Sequence, residues 1–230
     1  VDPLPLPLEQ PVEQESVQFK SEVSRVVATT QQRKGDYYFM PVLGFSIASN
    51  LKVDYLGVQG SNIISAKDDL DGGWGNSVSL TAGRRWDNWF ADLSLSYQYQ
   101  KYDNPDLFDD ISITTLDSDG FEESILFSIT GGYTIPLTER LSHNGAIGFG
   151  LGSKKNAINV IYSDGFSTEE LPPMNQSSFI FAYDFSLGFE YMFVNNFSGY
   201  FGYKFLGMTK NKNFGTSYQH LIELGLGANF

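Results

Sequence analysis

The sequence predicts an all-β chain: an eight-stranded antiparallel up-and-down transmembrane β-barrel carrying an extended N-terminal arm. Three observations lead there. From residue 36 onward the apolar residues recur at every second position, the strand period. The chain contains 23 glycines, 19 phenylalanines and 13 tyrosines in 230 residues, a mixture of ring-bearing strand formers with the residue that weakens helices and marks turns. The connections between the alternating segments are by turns long and short, as in a barrel whose hairpins open on opposite rims.

Residues 1–35 stand apart as an arm. VDPLPLPLEQP alternates proline with leucine, which suits polyproline II and excludes a central strand. It also lacks the basic start and apolar core of a signal peptide, as expected of a mature chain or one never exported. The next stretch, EQESVQFKSEVSRVVATTQQ, sets Phe19, Val23, Val26 and Val27 at helical spacing, the pattern of a short amphipathic helix.

The strands are expected at 36–49, 74–86, 89–102, 123–136, 141–154, 178–193, 197–208 and 217–230, making 36–230 one domain. In the first, Tyr37, Phe39, Pro41, Leu43, Phe45 and Ile47 share one face, opposed by Tyr38, Met40, Gly44 and Ser46. In the third, Trp89, Ala91, Leu93, Leu95, Tyr97 and Tyr99 alternate with Asp92, Ser94, Ser96, Gln98 and Gln100. The sixth sets Phe179, Phe181, Tyr183, Phe185, Leu187, Phe189 and Tyr191 against Ala182, Asp184, Ser186, Gly188 and Glu190. Each segment is as long as a strand that crosses a bilayer at a tilt, roughly 9–11 residues, or longer. Tight turns are expected at Asp87-Asn88, at Leu137 to Arg140 and at Val194 to Asn196, with the longer connections on the other rim.

Volume decides which face is outside. An eight-stranded barrel has an interior wide enough only for side chains or one small ligand. The ring-bearing face is too bulky for it, whereas Gly, Ser, Thr, Ala and Gln fit. Rings turned outward over so wide a belt need lipid, because in water they would aggregate. Closure then leaves no main-chain group unsatisfied in hydrocarbon. Trp74, Trp86, Trp89, Tyr102, Tyr133 and Tyr218 fall near strand ends, where amphipathic rings sit at headgroup level.

The closing segment HLIELGLGANF follows the same rule, with Ile222, Leu224, Leu226, Ala228 and Phe230 toward lipid and Leu221, Glu223, Gly225, Gly227 and Asn229 inward. This strand with its terminal Phe230, together with GYKF at 202–205 and IPLTERLSHNGAIGFGLG at 135–152, resembles the opacity-type and surface-antigen outer-membrane proteins of Gram-negative bacteria. The resemblance covers about residues 36–230. It implies residence in the outer membrane among its lipids and lipopolysaccharide, and makes Phe230 similar to the signal read by the barrel-assembly machinery. The arm departs from the family pattern.

Composition narrows the function. A formal net charge of -12, with 15 scattered Lys and Arg, argues against nucleic acid as a partner. The absence of cysteine removes thiol chemistry and thiolate metal sites, and two histidines leave little for zinc, so no cofactor or metal is expected. His143 is placed at the short-turn rim and His220 on the lipid side near the other rim, so the pair should not converge as an enzyme site requires. The stretch DNPDLFDDISITTLDSDGFEE has eight carboxylates and no basic residue, yet lacks calcium-loop spacing and reads as a solvated acidic loop.

The inward face carries six charges: Arg85, Asp92, Asp184, Glu190, Lys204 and Glu223. An unpaired charge in a narrow interior is costly. Lys204 and Glu223 lie at matching heights on adjacent strands and are expected to pair, with Arg85 near Asp92 or Glu190. Such a network reads first as a structural plug in an anchor or surface-interaction protein. Its acidic loops would lie outside the cell and both termini in the periplasm, where residues 1–35 could meet a periplasmic partner protein. A small, poorly conducting porin-like channel is the alternative, and a lipid-modifying enzyme a third.

Overall fold

The structure is a computed structural model in which residues 37–59, 62–103, 109–110, 113–163, 168–170 and 173–230 are described. The arm and its expected helix lie outside these residues. The strands are β1 (Tyr37–Ala48), β2 (Leu51–Gln59), β3 (Asn62–Trp86), β4 (Trp89–Asp103), β5 (Asp109–Asp110), β6 (Ile113–Pro136), β7 (Leu141–Ser163), β8 (Thr168–Glu170), β9 (Met174–Val194), β10 (Phe197–Met208) and β11 (Ser217–Asn229).

Eight of them close a ring. β1, β3, β4, β6, β7, β9, β10 and β11 pair antiparallel in that order, and β11 pairs back with β1 from Tyr38↔Asn229 to Ala48↔Gln219. Paired residues followed round from Tyr38 run through Gly83, Asp92, Thr130, Gly148, Asp184, Leu206 and Gln219 to Ala48, ten residues further along β1. The stagger is even, so a residue facing inward pairs only with inward neighbours all the way round. Every strand accordingly keeps one lipid face and one lumen face. β1 alternates exposed and buried along its whole length.

The outward face carries Phe45 at 60%, Phe149 at 57%, Phe179 at 73% and Leu226 at 66% exposure, values that only hydrocarbon can cover without penalty. Trp74, Trp86, Trp89, Tyr133 and Tyr218 stand on this face, as expected of a girdle. Tyr102 does not. It is fully buried, because it shares the phase of Gln98 and Gln100 and not that of Tyr97 and Tyr99. Closeness to a strand end alone places Tyr102 in the girdle, whereas period two decides the direction in which a ring points.

Short turns bind neighbouring strands at one rim. Asp87 takes φ 53°, a left-handed value that aspartate tolerates, and the next residue's carbonyl, Asn88 O, accepts from Thr134 N at 2.7 Å. In the 137–140 turn the Thr138 hydroxyl accepts from Leu141 N at 3.0 Å, while Leu137 N donates to Leu141 O at 2.9 Å. Asn196 O accepts from Asn229 N at 2.8 Å, and the last residue closes the seam through Phe230 N to Tyr37 O at 2.8 Å.

The strands run past the expected ends on the other rim. β3 has 25 residues, β6 24, β7 23 and β9 21. β2 forms a hairpin with β3, and the acidic stretch is in part strand, since β6 begins at Ile113. Beyond the bilayer the outward face meets water, so the aromatic-against-polar contrast fades while the main-chain ladder continues. The sequence pattern stops at the lipid boundary and the hydrogen bonding does not.

A charge introduced into the lipid belt tests the orientation. Leu224→Arg, in the apolar belt, is expected to lower the unfolding free energy in lipid vesicles by about 2–4 kcal/mol, and Phe197→Arg at the short-turn rim by about 0–1 kcal/mol. Urea unfolding followed by tryptophan fluorescence would measure both.

Candidate functional site

The inward side chains stack in layers along the barrel axis, and the order can be read along single strands. From the short-turn end, the inward face of β11 carries Asn229, Glu223, Leu221, Gln219 and Ser217, and that of β9 carries Glu190, Asp184, Ala182 and Ile180. Polar or charged groups come first on both strands, then aliphatic side chains, and on β11 polar groups again.

At the short-turn mouth Arg85 of β3 reaches across the lumen. Its Nη2 donates to Glu190 Oε1 at 3.1 Å and Oε2 at 2.9 Å, and its Nη1 donates to Asn229 Oδ1 at 3.0 Å. Asn144 Nδ2 also donates to Glu190, and the guanidinium lies 4.1 Å from the centre of the Tyr38 ring. A planar cation that serves a carboxylate with one nitrogen and an amide with the other, and lies over a ring, is a role for which Arg is better suited than Lys. Of the two partners expected for Arg85, it takes Glu190. Asp92 instead accepts a hydrogen bond from the Tyr38 hydroxyl.

Above this layer Lys204 Nζ and Glu223 Oε1 stand 2.9 Å apart on adjacent strands. Asp184 lies beside them, 7% exposed. Together with Tyr38, Arg85, Asp92, Asn144 and Tyr200 these groups surround a cavity of about 80 Å³. Tyr200 fits because its ring lies across Gly188 and Gly202, at both of which a Cβ would collide with the ring. The lumen is therefore filled by large residues as well as small ones. Glycines on its own strand β10 and on the neighbouring β9 make the room.

An aliphatic septum follows, built from the β6, β9, β10 and β11 side of the lumen. Leu126, Ile180, Ala182, Leu206, Met208 and Leu221 form one buried cluster, with Met208 fully buried and Leu206 3% exposed.

Past the septum lies a second ionic layer. Lys154 Nζ is 3.3 Å from Glu122 Oε2, at 0% and 1% exposure. The Glu122 carboxylate also accepts from Asn156 at 3.0 Å, Ser217 at 3.0 Å and Gln219 at 3.1 Å, and Lys154 donates to Ser217 at 3.2 Å. Asn211 of the β10–β11 connection donates to Asn156 Oδ1 at 3.0 Å and to the carbonyl of Gln176 at 3.1 Å. Leu51, Val53, Leu70, Tyr102, Ile158 and Phe214 are buried beyond this layer, toward the long connections.

Neither Glu122 nor Lys154 belongs to the set expected from sequence. Glu122 falls within the stretch expected as a solvated acidic loop, and Lys154 is the last residue of its expected segment. Extending the inward phase of Leu126 and Ser124 by one more step reaches Glu122, so the signal was present beyond the point where aromatic alternation ends. The two histidines stay apart. His143 of β7 packs on Phe189, whereas His220 of β11 faces Tyr203 and bonds its hydroxyl through Nδ1 at 2.7 Å.

A closed ring with a lipid-covered outer face and a filled interior defines an integral barrel of the bacterial outer membrane. The chain belongs to the outer membrane protein beta-barrel domain family, which matches residues 36–230. Among solved structures it is similar to Neisserial surface protein A at 17% identity, covering 85% of this chain and 97% of that one, with a TM-score of 0.44. OprG from Pseudomonas aeruginosa matches at 14% identity, 86% and 98% coverage and a TM-score of 0.42. Ail, the attachment invasion locus protein of Yersinia pestis, matches at 15%, 84% and 99%, with a TM-score of 0.35. No curated protein sequence matches the chain.

Removing one member of the buried pair leaves a charge with no counter-ion. Lys154→Ala is expected to cost about 3–5 kcal/mol in unfolding free energy, and the joint change Glu122→Leu with Lys154→Met much less than twice that. A double-mutant cycle by urea unfolding checks the coupling.

Proposed function

We propose that the protein is a stoppered outer-membrane anchor whose purpose lies at its two ends and not in passage through its centre. The observation that carries this reading is the aliphatic septum of Leu126, Ile180, Leu206, Met208 and Leu221 between two ionic layers. An ion reaching that level would meet packed apolar side chains on the β6, β9, β10 and β11 side of the lumen, which offer it no oxygen ligands and so narrow the path in the way hydrophobic constrictions do. Arg85, Asp92, Asp184, Glu190, Lys204 and Glu223 serve here as a structural plug. The reading assigns the chain no catalytic role.

The ring places residue 37 and Phe230 at the short-turn rim, and the reading puts this rim in the periplasm and the long connections outside the cell. Phe230 would then be read by the barrel-assembly machinery on the outward face of the closing strand. The proline-rich arm of residues 1–35 would extend toward a periplasmic protein at low ordering cost. The long, partly acidic connections would form the surface-interaction face.

Planar-bilayer recording decides between anchor and channel. The wild type is expected to give no stepwise openings, and the triple change Leu126→Gly, Leu206→Gly, Leu221→Gly to introduce them. Openings in the wild type that respond to Lys204→Ala would establish the channel instead. For the arm, deletion of residues 1–30 is expected to preserve the faster gel mobility of the unboiled barrel and to abolish cross-linking to its periplasmic partner; undiminished cross-linking would remove that role.

A further inference from the structure

On the lipid side of β10 and β11 a polar pair interrupts the apolar belt. The Tyr203 hydroxyl and His220 Nδ1 stand 2.7 Å apart, and among the described residues neither side chain makes a second hydrogen bond. The pair has a donor to spare whichever nitrogen holds the proton. With hydrogen on Nε2, the hydroxyl donates to Nδ1 and Nε2–H is unused; with hydrogen on Nδ1, that N–H donates to the hydroxyl oxygen and the O–H is unused. A doubly protonated ring leaves both unused. Phe205 packs edge-on against the imidazole at 5.5 Å and stacks on Tyr218 at 5.9 Å, contacts that fix the direction of the His220 ring.

Depth says which acceptors are within reach. His220 stands ten residues up β11 from Phe230, which at a rise of roughly 3.3 Å per residue and a tilt of roughly 40° is about 25 Å, the height of the apolar belt. The spare donor therefore meets the headgroup oxygens of the lipid and the waters among them. Charge selects within that group. From 191 to 222 the chain carries Lys204, Lys210, Lys212 and His220 and no carboxylate, in a protein of net charge -12. Lys204 is taken up inside the barrel by Glu223. Lys210 and Lys212 are exposed in the β10–β11 connection, and among the described residues neither makes an ion pair. Asn211 between them is fully buried and bonded to Asn156 and Gln176, so the connection is held at the rim of this same strand pair. A basic sector in an acidic chain favours an anionic oxygen over the neutral ester carbonyls of the same lipids.

We propose that the Tyr203–His220 pair, with Lys210 and Lys212 beyond it, is a binding site for the phosphate of a lipid headgroup in the leaflet on the side of the long connections. The spare donor of the pair serves a phosphate oxygen, and the two lysines balance its charge. The site goes beyond the anchor reading and rests on the lipid-facing orientation of the barrel, not on the septum.

Diphosphoryl lipid A is the probe, set against the same lipid freed of both phosphates. Native mass spectrometry of the full chain released from detergent micelles is expected to show one tightly bound diphosphoryl lipid and about tenfold weaker binding of the phosphate-free form, and the joint change Tyr203→Phe with His220→Phe is expected to abolish that difference. Equal affinity for the two lipids, or a preference kept in full by the double variant, would overturn the proposal. A preference lost only in Lys210→Ala with Lys212→Ala would put the phosphate on the lysines alone and overturn the role of the pair. Inorganic phosphate at the same concentration is expected not to displace the lipid; displacement would reveal a free-anion site instead. The faster gel mobility of the unboiled protein verifies that each variant is folded. A second measurement needs no variant. In galactolipid vesicles whose only phosphorus belongs to added lipid A, solid-state NMR of nitrogen-labelled protein is expected to show phosphorus dephasing of the His220 ring nitrogens. His143, at the other rim, is the internal reference, and dephasing at His220 no stronger than at His143 would equally sink the site.

Discussion

Hydrogen-bond closure between β1 and β11 is the constraint on which everything else in this barrel rests. In hydrocarbon an unpaired amide or carbonyl costs several kcal/mol, so a sheet that left two free edges could not remain there. The seam runs from Tyr38↔Asn229 to Ala48↔Gln219 and engages almost the whole of both strands. Its stagger of ten residues is even, so the inward and outward faces that the pleat sets on each strand stay matched all the way round. One continuous lipid belt and one set of lumen layers follow from that registration.

Inside the ring, two kinds of stabilisation alternate. The ionic layers are costly to desolvate, and a buried pair adds little net stability over an apolar substitute of the same shape. What Glu122 does provide is direction. Its carboxylate collects donors from β7 and β11, so these strands can meet in only one register without orphaning a charge. The aliphatic septum contributes in the opposite way, through burial and packing with no directional demand. Polar layers that specify register on either side of a packed apolar cluster suit a rigid plug better than an aqueous path.

Alternation alone determined the class of this protein. A period of two with rings on one face and small polar residues on the other admits one solution at eight strands, because the rings exceed the volume inside. The lumen side of Arg85, Asp92, Asp184, Glu190, Lys204 and Glu223 followed from the same phase. Which of them meet across the lumen was decided by tertiary structure: Arg85 finds Glu190 from β3 to β9 only because the stagger brings those strands level. The same holds for the misjudged residues. Tyr102 was read by position and not by phase, and Glu122 with Lys154 lay beyond the point where water on the outer face erases the aromatic contrast. Sequence carries the direction of each side chain, a local property of the pleat, whereas partners across a closed ring depend on shear, which no single strand encodes.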